Sequence, residues 1–395
     1  MNILFIQASN TIGGAEMSLI DLIKYLSSNG VNCFVVLKKC KKNLLGKLLE
    51  QELGNNVFCF RSIPLIPRMK SQTTFLESLK NYIYKFYKNG PDFISIYKLK
   101  KIAKNNNINL IHTNTVYPTL GKIISKKCKV PHVQHLRELT AGIGGIVNFK
   151  FQDDSDKFKT IFGTHDGIIA NSNYCINSNE PWYTSKNKMV MYNSVNQSFF
   201  DITNEKLNHN IGLVANVTAN WKRHDIYIKL AEVYSKKYND GLNFLIYGNL
   251  PNQSNNYFDK LNKSIKIKKL KNIVKFEGSV KSKNIYNNIK LLVHCCPTEP
   301  FGRIFIEAAA SGVPVVAIKG GGASEIVNKN LGFLFTEKQL EGMADKIYEL
   351  VNFESKRLHV ANKAKIEAVK YLPINIYKDI IPFYKKIINE SAAKS

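Results

Sequence analysis

The chain has 395 residues, 44% of them hydrophobic, and a formal net charge of +26 at pH 7. This length and apolar content are enough to fill two cores, which disfavours a single globular domain. No apolar stretch reaches the roughly 18 residues of a transmembrane helix, and Met1 is followed by a strand-like run rather than a signal segment. We therefore expect a cytoplasmic protein, either soluble or peripheral on the inner face of the plasma membrane.

The excess of basic residues is spread over both halves of the chain and accompanies abundant Asn and Ile. An anionic membrane surface, an anionic ligand and the composition of an AT-rich genome all explain it. Nucleic acid is disfavoured, because no helix-turn-helix, zinc finger or RNA-binding aromatic motif is evident. The seven cysteines lack the paired spacing of a zinc site, so we predict reduced thiols and no bound metal.

The first half of the chain alternates apolar, strand-like runs with helix-sized segments. A helix is predicted over residues 15–28 and ends at Gly30. The alternation predicts a doubly wound parallel sheet. Its strands are predicted at residues 3–7, 33–37, 57–60, 110–112, 132–136 and 167–170.

A glycine turn joins the first predicted strand to the first predicted helix. Gly13 and Gly14 lie within the run Thr-Ile-Gly-Gly-Ala-Glu, where missing side chains let backbone N–H groups approach a phosphate. Tight packing of a strand on a helix also requires glycine at such a turn. The sequence leaves both explanations open.

Polar side chains cluster at the strand predicted over residues 132–136. The strand contains His132 and His135, and Arg137 and Glu138 follow it directly. A polar strand edge and a functional cluster are both consistent with this pattern.

The second half repeats the alternation of strand-like and helix-sized segments, which predicts a second Rossmann-like domain. We place the domains at residues 1–195 and 196–372, because polar residues take over after a strand near residue 191. Residues 373–395 form a final segment with apolar residues at helical spacing over 374–389. Strands of the second domain are predicted at residues 211–216, 242–247, 273–276, 291–295, 313–318 and 332–335.

The densest motif begins at the strand predicted over residues 291–295. A loop follows, and a helix starts at Arg303, so Glu299 lies in the loop and Glu307 lies more than one turn into the helix. Helix-start N–H groups and the glycine turn at residues 320–322 are both suited to a phosphate, which together suggests a diphosphate. The alternative is that the carboxylates are solvated and the glycines only make turns.

The spacing from Glu299 to Glu307, within Glu-Pro-Phe-Gly-Arg and before Gly-Val-Pro-Val-Val-Ala, resembles the signature of retaining glycosyltransferases of family four. This resemblance implies the GT-B fold, in which two Rossmann-like domains face a cleft. It implies that Glu299 contacts the donor sugar and Glu307 the nucleotide ribose. It further implies donor-diphosphate contacts from the loop and helix start formed by Pro300, Phe301, Gly302 and Arg303.

The same resemblance extends to four other parts of the chain. It implies that residues 373–395 form a C-terminal helix that crosses back to the first domain. It implies a position for His135 beside the transferred sugar and contact of the Gly13–Gly14 loop with donor or acceptor. Lys222 matches a family lysine that neutralises the leaving diphosphate. The match is incomplete, because Asn216 or its neighbour stands in place of the family's arginine and Arg223 stands in place of a glycine.

The resemblance implies an enzyme that transfers a sugar to a glycan or lipid-linked acceptor in the synthesis of cell-surface polysaccharide. The donor, and co-substrate, is expected to be a nucleotide-diphosphate sugar. No metal or other cofactor is implied, and the sequence Asp-Ser-Asp at residues 154–156 is interpreted as a solvated helix start. Aromatic and basic residues at 81–88 suit a membrane interface or a core-facing stripe. Two rival hypotheses are a nucleotide-sugar epimerase of the same fold and a non-catalytic protein bound to an anionic membrane.

Overall fold

The structure, a computed structural model, describes residues 1–8, 12–38, 44–60, 93–116, 120–140, 163–180, 182–203, 208–217, 220–251, 253 and 255–393. The chain forms two compact units. Unit 1 comprises Met1–Asn193 and Pro373–Ser395, and unit 2 comprises Ser194–Leu372. The sequence segments at 81–88 and 154–156 lie outside the described residues.

Unit 1 is built on a seven-stranded sheet in the order β3-β2-β1-β4-β5-β6-β7. Every neighbouring pair of strands is parallel. The order reverses at β1, as in doubly wound α/β proteins. The strands are β1 (Asn2–Gln7), β2 (Asn32–Lys38), β3 (Val57–Phe60), β4 (Leu110–Asn114), β5 (His132–Leu136), β6 (Gly167–Ala170) and β7 (Lys188–Val190).

Helices cover both faces of this sheet, because its strands are apolar on both sides. In β1, Ile3 and Phe5 belong to one core cluster, whereas Leu4 and Ile6 belong to the other. This alternation follows from the two-residue period of a strand. The helices are α1 (Gly14–Ser28), α2 (Leu44–Leu53), α3 (Phe93–Asn105), α4 (Leu120–Cys128) and α5 (Asn173–Asn179).

The final segment of the chain returns to unit 1 as two helices, α13 (Pro373–Ile376) and α14 (Ile380–Ala392). The C-terminal helix expected within residues 373–395 is thus divided in two, because Pro382 has no N–H and its ring would clash with the carbonyl of Lys378 in a continuous helix. Helix α14 packs on β6 at Gly167, where a Cβ atom would lie 2.3 Å from the side chain of Ile387. The glycine therefore makes room for the helix.

Unit 2 repeats the architecture with a six-stranded parallel sheet in the order β10-β9-β8-β11-β12-β13. Its strands are β8 (Asn210–Val214), β9 (Asn243–Tyr247), β10 (Val274–Gly278), β11 (Leu291–His294), β12 (Val315–Ile318) and β13 (Gly332–Phe335). Its helices are α6 (His224–Lys237), α7 (Asn256–Ile267), α8 (Ser282–Asn288), α9 (Arg303–Ala310), α10 (Ala323–Ile326), α11 (Leu340–Asn352) and α12 (Glu354–Ala368). The predicted fold class, α/β with two doubly wound parallel sheets, is confirmed.

In each sheet the strand order reverses between the first strand of the unit and its fourth, that is β1 with β4 and β8 with β11. Ligands of open parallel sheets bind outside the carboxyl ends of strands at this switch point. The residues at those ends are Gln7 and Asn114 in unit 1, and Val214 and His294 in unit 2. Both places coincide with motifs found in the sequence.

Among the residues that the structure describes, no helix is both long and apolar enough to cross a bilayer. Cys59 is disulfide-bonded, which corrects the prediction of seven reduced thiols. The thiols that the structure shows as free are those of Cys33, Cys128, Cys175, Cys295 and Cys296.

Candidate functional site

The loop between β11 and α9 forms the centre of the candidate site in unit 2. Gly302 ends this loop with φ of 88°, a left-handed conformation that favours glycine. A Cβ atom on Gly302 would lie 2.3 Å from the ring of Phe305, whose side chain is buried in the core. The glycine and the buried Phe301 and Phe305 therefore fix the loop against the helix start.

Glu299 and Lys222 form an ion pair in this loop region. The Nζ atom of Lys222 lies 2.6 Å from Oε2 of Glu299, and the two side chains are only 20% and 13% exposed. The same ammonium lies 3.8 Å from the ring centroid of Trp221, a cation–π distance. The two sequence-predicted catalytic residues of unit 2 are thus in direct contact.

Charge and burial act in opposite directions on the groups around this pair. Burial opposes ionisation of Glu299, but Lys222 and His294 outweigh it and lower the pKa of the carboxyl below its ordinary value. Burial lowers the pKa of His294 to about 4, so that imidazole is neutral at pH 7. Burial also raises the pKa of the Cys296 thiol. The site therefore presents an ionised carboxylate and an ammonium beside a neutral imidazole and thiol.

Glu307 lies in α9 with its carboxylate held on both sides. Oε1 accepts a hydrogen bond from Nε of Arg303 at 3.3 Å, one helical turn away. Oε2 accepts one from the hydroxyl of Tyr286 at 3.2 Å. Its side chain is 11% exposed. The carboxylate is therefore oriented before any ligand arrives, which suits a residue that recognises hydroxyl groups.

The glycine turn at residues 320–322 packs against the Glu299 loop. Cβ atoms on Gly320, Gly321 and Gly322 would lie 2.3–2.6 Å from backbone atoms of residues 297–301. In addition, the N–H of Gly322 donates to the carbonyl of Glu299 at 2.6 Å. The close backbone approach predicted for a phosphate is made here to the neighbouring loop, so this turn supports the position of Glu299.

Arg223, the other sequence-predicted cation, is directed elsewhere. Its guanidinium donates to Asp225 at 3.1 Å and to Glu337 at 2.7 Å, with 29% of the side chain exposed. Asn216, at the place of the family's arginine, accepts a hydrogen bond from the N–H of Asn249. Neither contact involves the Glu299 carboxylate.

Sequence reasoning missed two histidines near Lys222. His224 is fully buried, and its Nε2 lies 3.3 Å from the carbonyl oxygen of Ala215 at the end of β8. His294 ends β11, with Nε2 3.7 Å from Oε2 of Glu299. The sequence did contain a signal for His294, because it is a polar residue at the end of an otherwise apolar strand.

A second polar group occupies the switch point of unit 1. Arg137 donates from Nε to Oδ1 of Asn114 at 2.6 Å and from Nη1 to Oδ1 of Asn193 at 2.7 Å. Asn114 donates in turn to Oε1 of Gln7 at 2.6 Å. Three strand ends are therefore linked through buried amides and one guanidinium, at the edge where parallel sheets bind ligands.

His135 lies beside this chain of hydrogen bonds. Its Nδ1 is 3.2 Å from Nε2 of His112 and 3.4 Å from Nη2 of Arg137, and no described residue pairs with its Nε2. The hydroxyl of Tyr384 on α14 is 2.7 Å from Nδ1 of His112. Burial, Arg137 and His112 lower the pKa of His135 well below its ordinary value, so the imidazole is neutral.

The Gly13–Gly14 turn is closed by a side chain of its own helix. The N–H of Gly13 donates to Oε2 of Glu16 at 3.0 Å, and Oε1 of Glu16 accepts from the amide of Gln7 at 2.8 Å. The turn therefore joins α1 to the end of β1 through Glu16. This is the strand-to-helix connection that the sequence left open as an alternative to phosphate binding.

Unit 1 also contains a cavity of about 330 Å³ at the other end of its sheet. His132, Asp166 and Asn187 line it at the amino ends of β5, β6 and β7, together with Lys122 and Glu390. It is separate from the strand ends that carry His135 and Arg137.

Two doubly wound parallel sheets in one chain are the architecture of the GT-B fold. Residues 195–367 match the family model described as glycosyl transferases group 1. The match covers most of unit 2, which is therefore similar in sequence to that family.

Among curated relatives, the capsular polysaccharide biosynthesis glycosyltransferase CapM of Staphylococcus aureus is 26% identical over 204 residues, 51% of this chain and 52% of CapM. The poly(ribitol-phosphate) alpha-N-acetylglucosaminyltransferase of Staphylococcus aureus strain COL is 34% identical over 147 residues, 36% of this chain and 29% of the relative. The chain thus matches about half of the first relative and less of the second.

Among solved structures, HepE of Anabaena in complex with UDP aligns with a TM-score of 0.74. The alignment covers 98% of this chain and all of HepE at 23% identity. This similarity shows that the two proteins share a fold.

Proposed function

We propose that this protein transfers a sugar, with retention at the anomeric carbon, from a nucleotide-diphosphate sugar to a hydroxyl group of a cell-surface glycan or its lipid-linked precursor. The observation that carries the proposal is the Lys222–Glu299 ion pair in front of α9, with Glu307 held further along the same helix. A helix start attracts phosphate, and the ammonium adds a positive charge at the same place.

In the proposed reaction the acceptor oxygen bonds to the anomeric carbon as the bond from that carbon to the phosphate oxygen breaks. The acceptor proton passes to the departing phosphate oxygen. Lys222 and the backbone N–H groups from Phe301 to Arg303 stabilise the negative charge that grows there. These protein groups supply the positive charge, so we propose no catalytic metal and no cofactor beyond the nucleotide sugar.

The two carboxylates have separate proposed roles. Glu299 contacts hydroxyls of the donor sugar, because it lies in the loop beside the cation that meets the diphosphate. Glu307 contacts the ribose, because it lies more than one turn further into α9. His135, neutral and with Nε2 unpaired among the described residues, is proposed to lie beside the transferred sugar. Donor contacts by Gly13, Gly14 and Arg223 stay predictions, since Gly13 and Arg223 bind protein carboxylates.

The acceptor class is supported by the relatives and by charge. CapM takes part in capsule biosynthesis, and the second relative is named for a poly(ribitol-phosphate) acceptor. A net charge of +26 suits a protein that works near anionic lipid or an anionic polymer. We therefore propose an acceptor that is polymeric or lipid-linked, met at an anionic membrane surface.

The donor is tested first by thermal denaturation with UDP, GDP, ADP and TDP sugars, because a ligand of the native state raises Tm. UDP is the first choice, since HepE was solved with it. Transfer is then measured by product mass with an acceptor extract. We expect Glu299→Gln to abolish transfer while the protein still folds, at a somewhat lower Tm because the Lys222–Glu299 ion pair is lost. Glu341→Gln, an exposed control on α11, keeps the transfer activity. Undiminished transfer by Glu299→Gln, or a donor altered without any acceptor, would contradict the proposal.

A further inference from the structure

Three potential metal ligands converge where β11 ends. His294, Cys296 and Glu299 each offer one ligand atom, and these atoms lie within 4.8 Å of one another. Within this group, Nε2 of His294 and Oε2 of Glu299 are 3.7 Å apart. The three residues come from one short stretch of backbone that the packed glycine turn holds in place.

The imidazole of His294 is the unusual member of this group. It is 1% exposed, and no described residue forms a hydrogen bond with either ring nitrogen. Buried polar groups in folded proteins almost always have a partner. The ring stacks edge-on against Phe305 with centroids 5.0 Å apart, which fixes its orientation. A rigid imidazole nitrogen facing a thiol and a carboxylate has the donor set of a metal ligand.

The donor set selects a particular class of metal. Zinc binds thiolate sulfur at about 2.3 Å and imidazole nitrogen or carboxylate oxygen at about 2.0–2.2 Å, in a tetrahedron. Two ligand atoms of one tetrahedral zinc ion are then roughly 3.3–3.6 Å apart. The distance of 3.7 Å between His294 and Glu299 is close to this value. Ligand atoms up to 4.8 Å apart would need to approach by roughly 1 Å. Magnesium and calcium prefer oxygen ligands and would not select a thiol.

We propose that His294, Cys296 and Glu299 form a binding site for zinc or a similar soft divalent cation, and that the bound cation inhibits the enzyme. Binding releases the Cys296 proton to solvent and forms a bond from sulfur to metal, leaving one position for water. Glu299 cannot hold the cation and Lys222 together, because the ammonium now lies 2.6 Å from the same oxygen. The cation repels the ammonium and displaces it. The proposal of metal binding does not depend on the proposed function, whereas the proposal of inhibition rests on it.

Binding is tested with Co²⁺, which reports a thiolate ligand through its sulfur-to-metal charge-transfer band. We expect one equivalent of Co²⁺ to produce the band, and Zn²⁺ but not excess Mg²⁺ to remove it. Cys296→Ser should lose the band, whereas Cys295→Ser should keep it, because Cys295 belongs to the hydrophobic core and is the matched neighbour. If Cys296→Ser does not fold, His294→Phe, which preserves the ring contact with Phe305, serves instead and should change the visible cobalt spectrum. The absence of a band in the wild type, or an unchanged band in Cys296→Ser, would overturn the site.

Inhibition is tested by titrating Zn²⁺ into the transfer assay. We expect at least a tenfold loss of rate in the wild type, recovery with EDTA, and resistance in Cys296→Ser. The two proposals fail separately. A cobalt band without transfer under any donor removes the proposed function and leaves the metal site, whereas transfer without a band removes the metal site alone. Equal zinc sensitivity of the wild type and Cys296→Ser would overturn the inhibitory role.

Discussion

The ion pair between Lys222 and Glu299 is expected to be worth far more than a surface pair. Its atoms are 2.6 Å apart with 20% and 13% of the side chains exposed, so solvent screening is weak. A charge-assisted hydrogen bond contributes about 1.5–3 kcal/mol, and a double-mutant cycle should give a coupling of about 2 kcal/mol, roughly a thirtyfold change in the unfolding equilibrium. Lys222→Met should cost more than Glu299→Gln, because it leaves a nearly buried carboxylate without its cation.

The assay is denaturant unfolding of the single and double variants. Trp221 adjoins Lys222, and the chain has two tryptophans, so a Trp182→Phe background makes fluorescence a reporter of unit 2. The control cycle uses Arg223→Met and Glu337→Gln, whose side chains are 29% and 39% exposed at 2.7 Å. Exposed pairs of this kind couple by about 1 kcal/mol or less. A Lys222–Glu299 coupling no larger than that of the control pair would refute the reasoning.

Three further predictions concern single residues. Gly320→Ala should lower Tm more than Gly278→Ala, because both glycines have positive φ but only at Gly320 would Cβ meet backbone, at 2.3 Å; equal losses would contradict it. Tyr286→Phe should lose about 1 kcal/mol of stability and raise the donor KM by releasing Glu307, and unchanged melting and KM would argue against that contact. Burial raises the pKa of Glu138 from 4.5 to about 7, so its stabilising contribution is complete below about pH 4.5 and is lost as pH rises through about 7. Glu138→Gln should therefore gain stability over the wild type between about pH 5 and pH 8 in urea melts, and parallel pH profiles would exclude this.

Strand positions were largely predictable from the sequence, because buried parallel strands are continuous apolar runs between polar segments. The strands at 57–60, 132–136, 167–170 and 332–335 were predicted residue for residue. The strand Lys188–Val190 was expected only as a strand near residue 191, without bounds, since it has three residues, begins with an exposed lysine and gives no clear period. The predicted strand at 313–318 begins only at Val315, because the N–H of Val313 still bonds to the end of α9 and Pro314 has no N–H.

The site was predictable as a list of residues but not as a set of contacts. Glu299 and Lys222 are 77 positions apart, and nothing in their local patterns shows that they touch. Likewise, the pairing of Arg223 with Glu337 across 114 positions could not be foreseen. The glycines at 320–322 illustrate a deeper limit, because close approach to a ligand and close approach to another loop require the same missing side chain. Only coordinates distinguish the two.

Because α14 completes the core of unit 1, the order of synthesis matters for folding. Tyr377, Ile380, Tyr384 and Ile387 pack on a sheet whose strands are made first, yet the ribosome produces them only after the whole of unit 2. At about 5–20 residues per second, the nascent sheet waits roughly ten seconds or more with part of one apolar face uncovered. A chain terminated before residue 373 would contain all of unit 2 but would lack the last helix of unit 1. The apolar surface that this helix covers would stay exposed to water, which makes premature termination a direct route to aggregation.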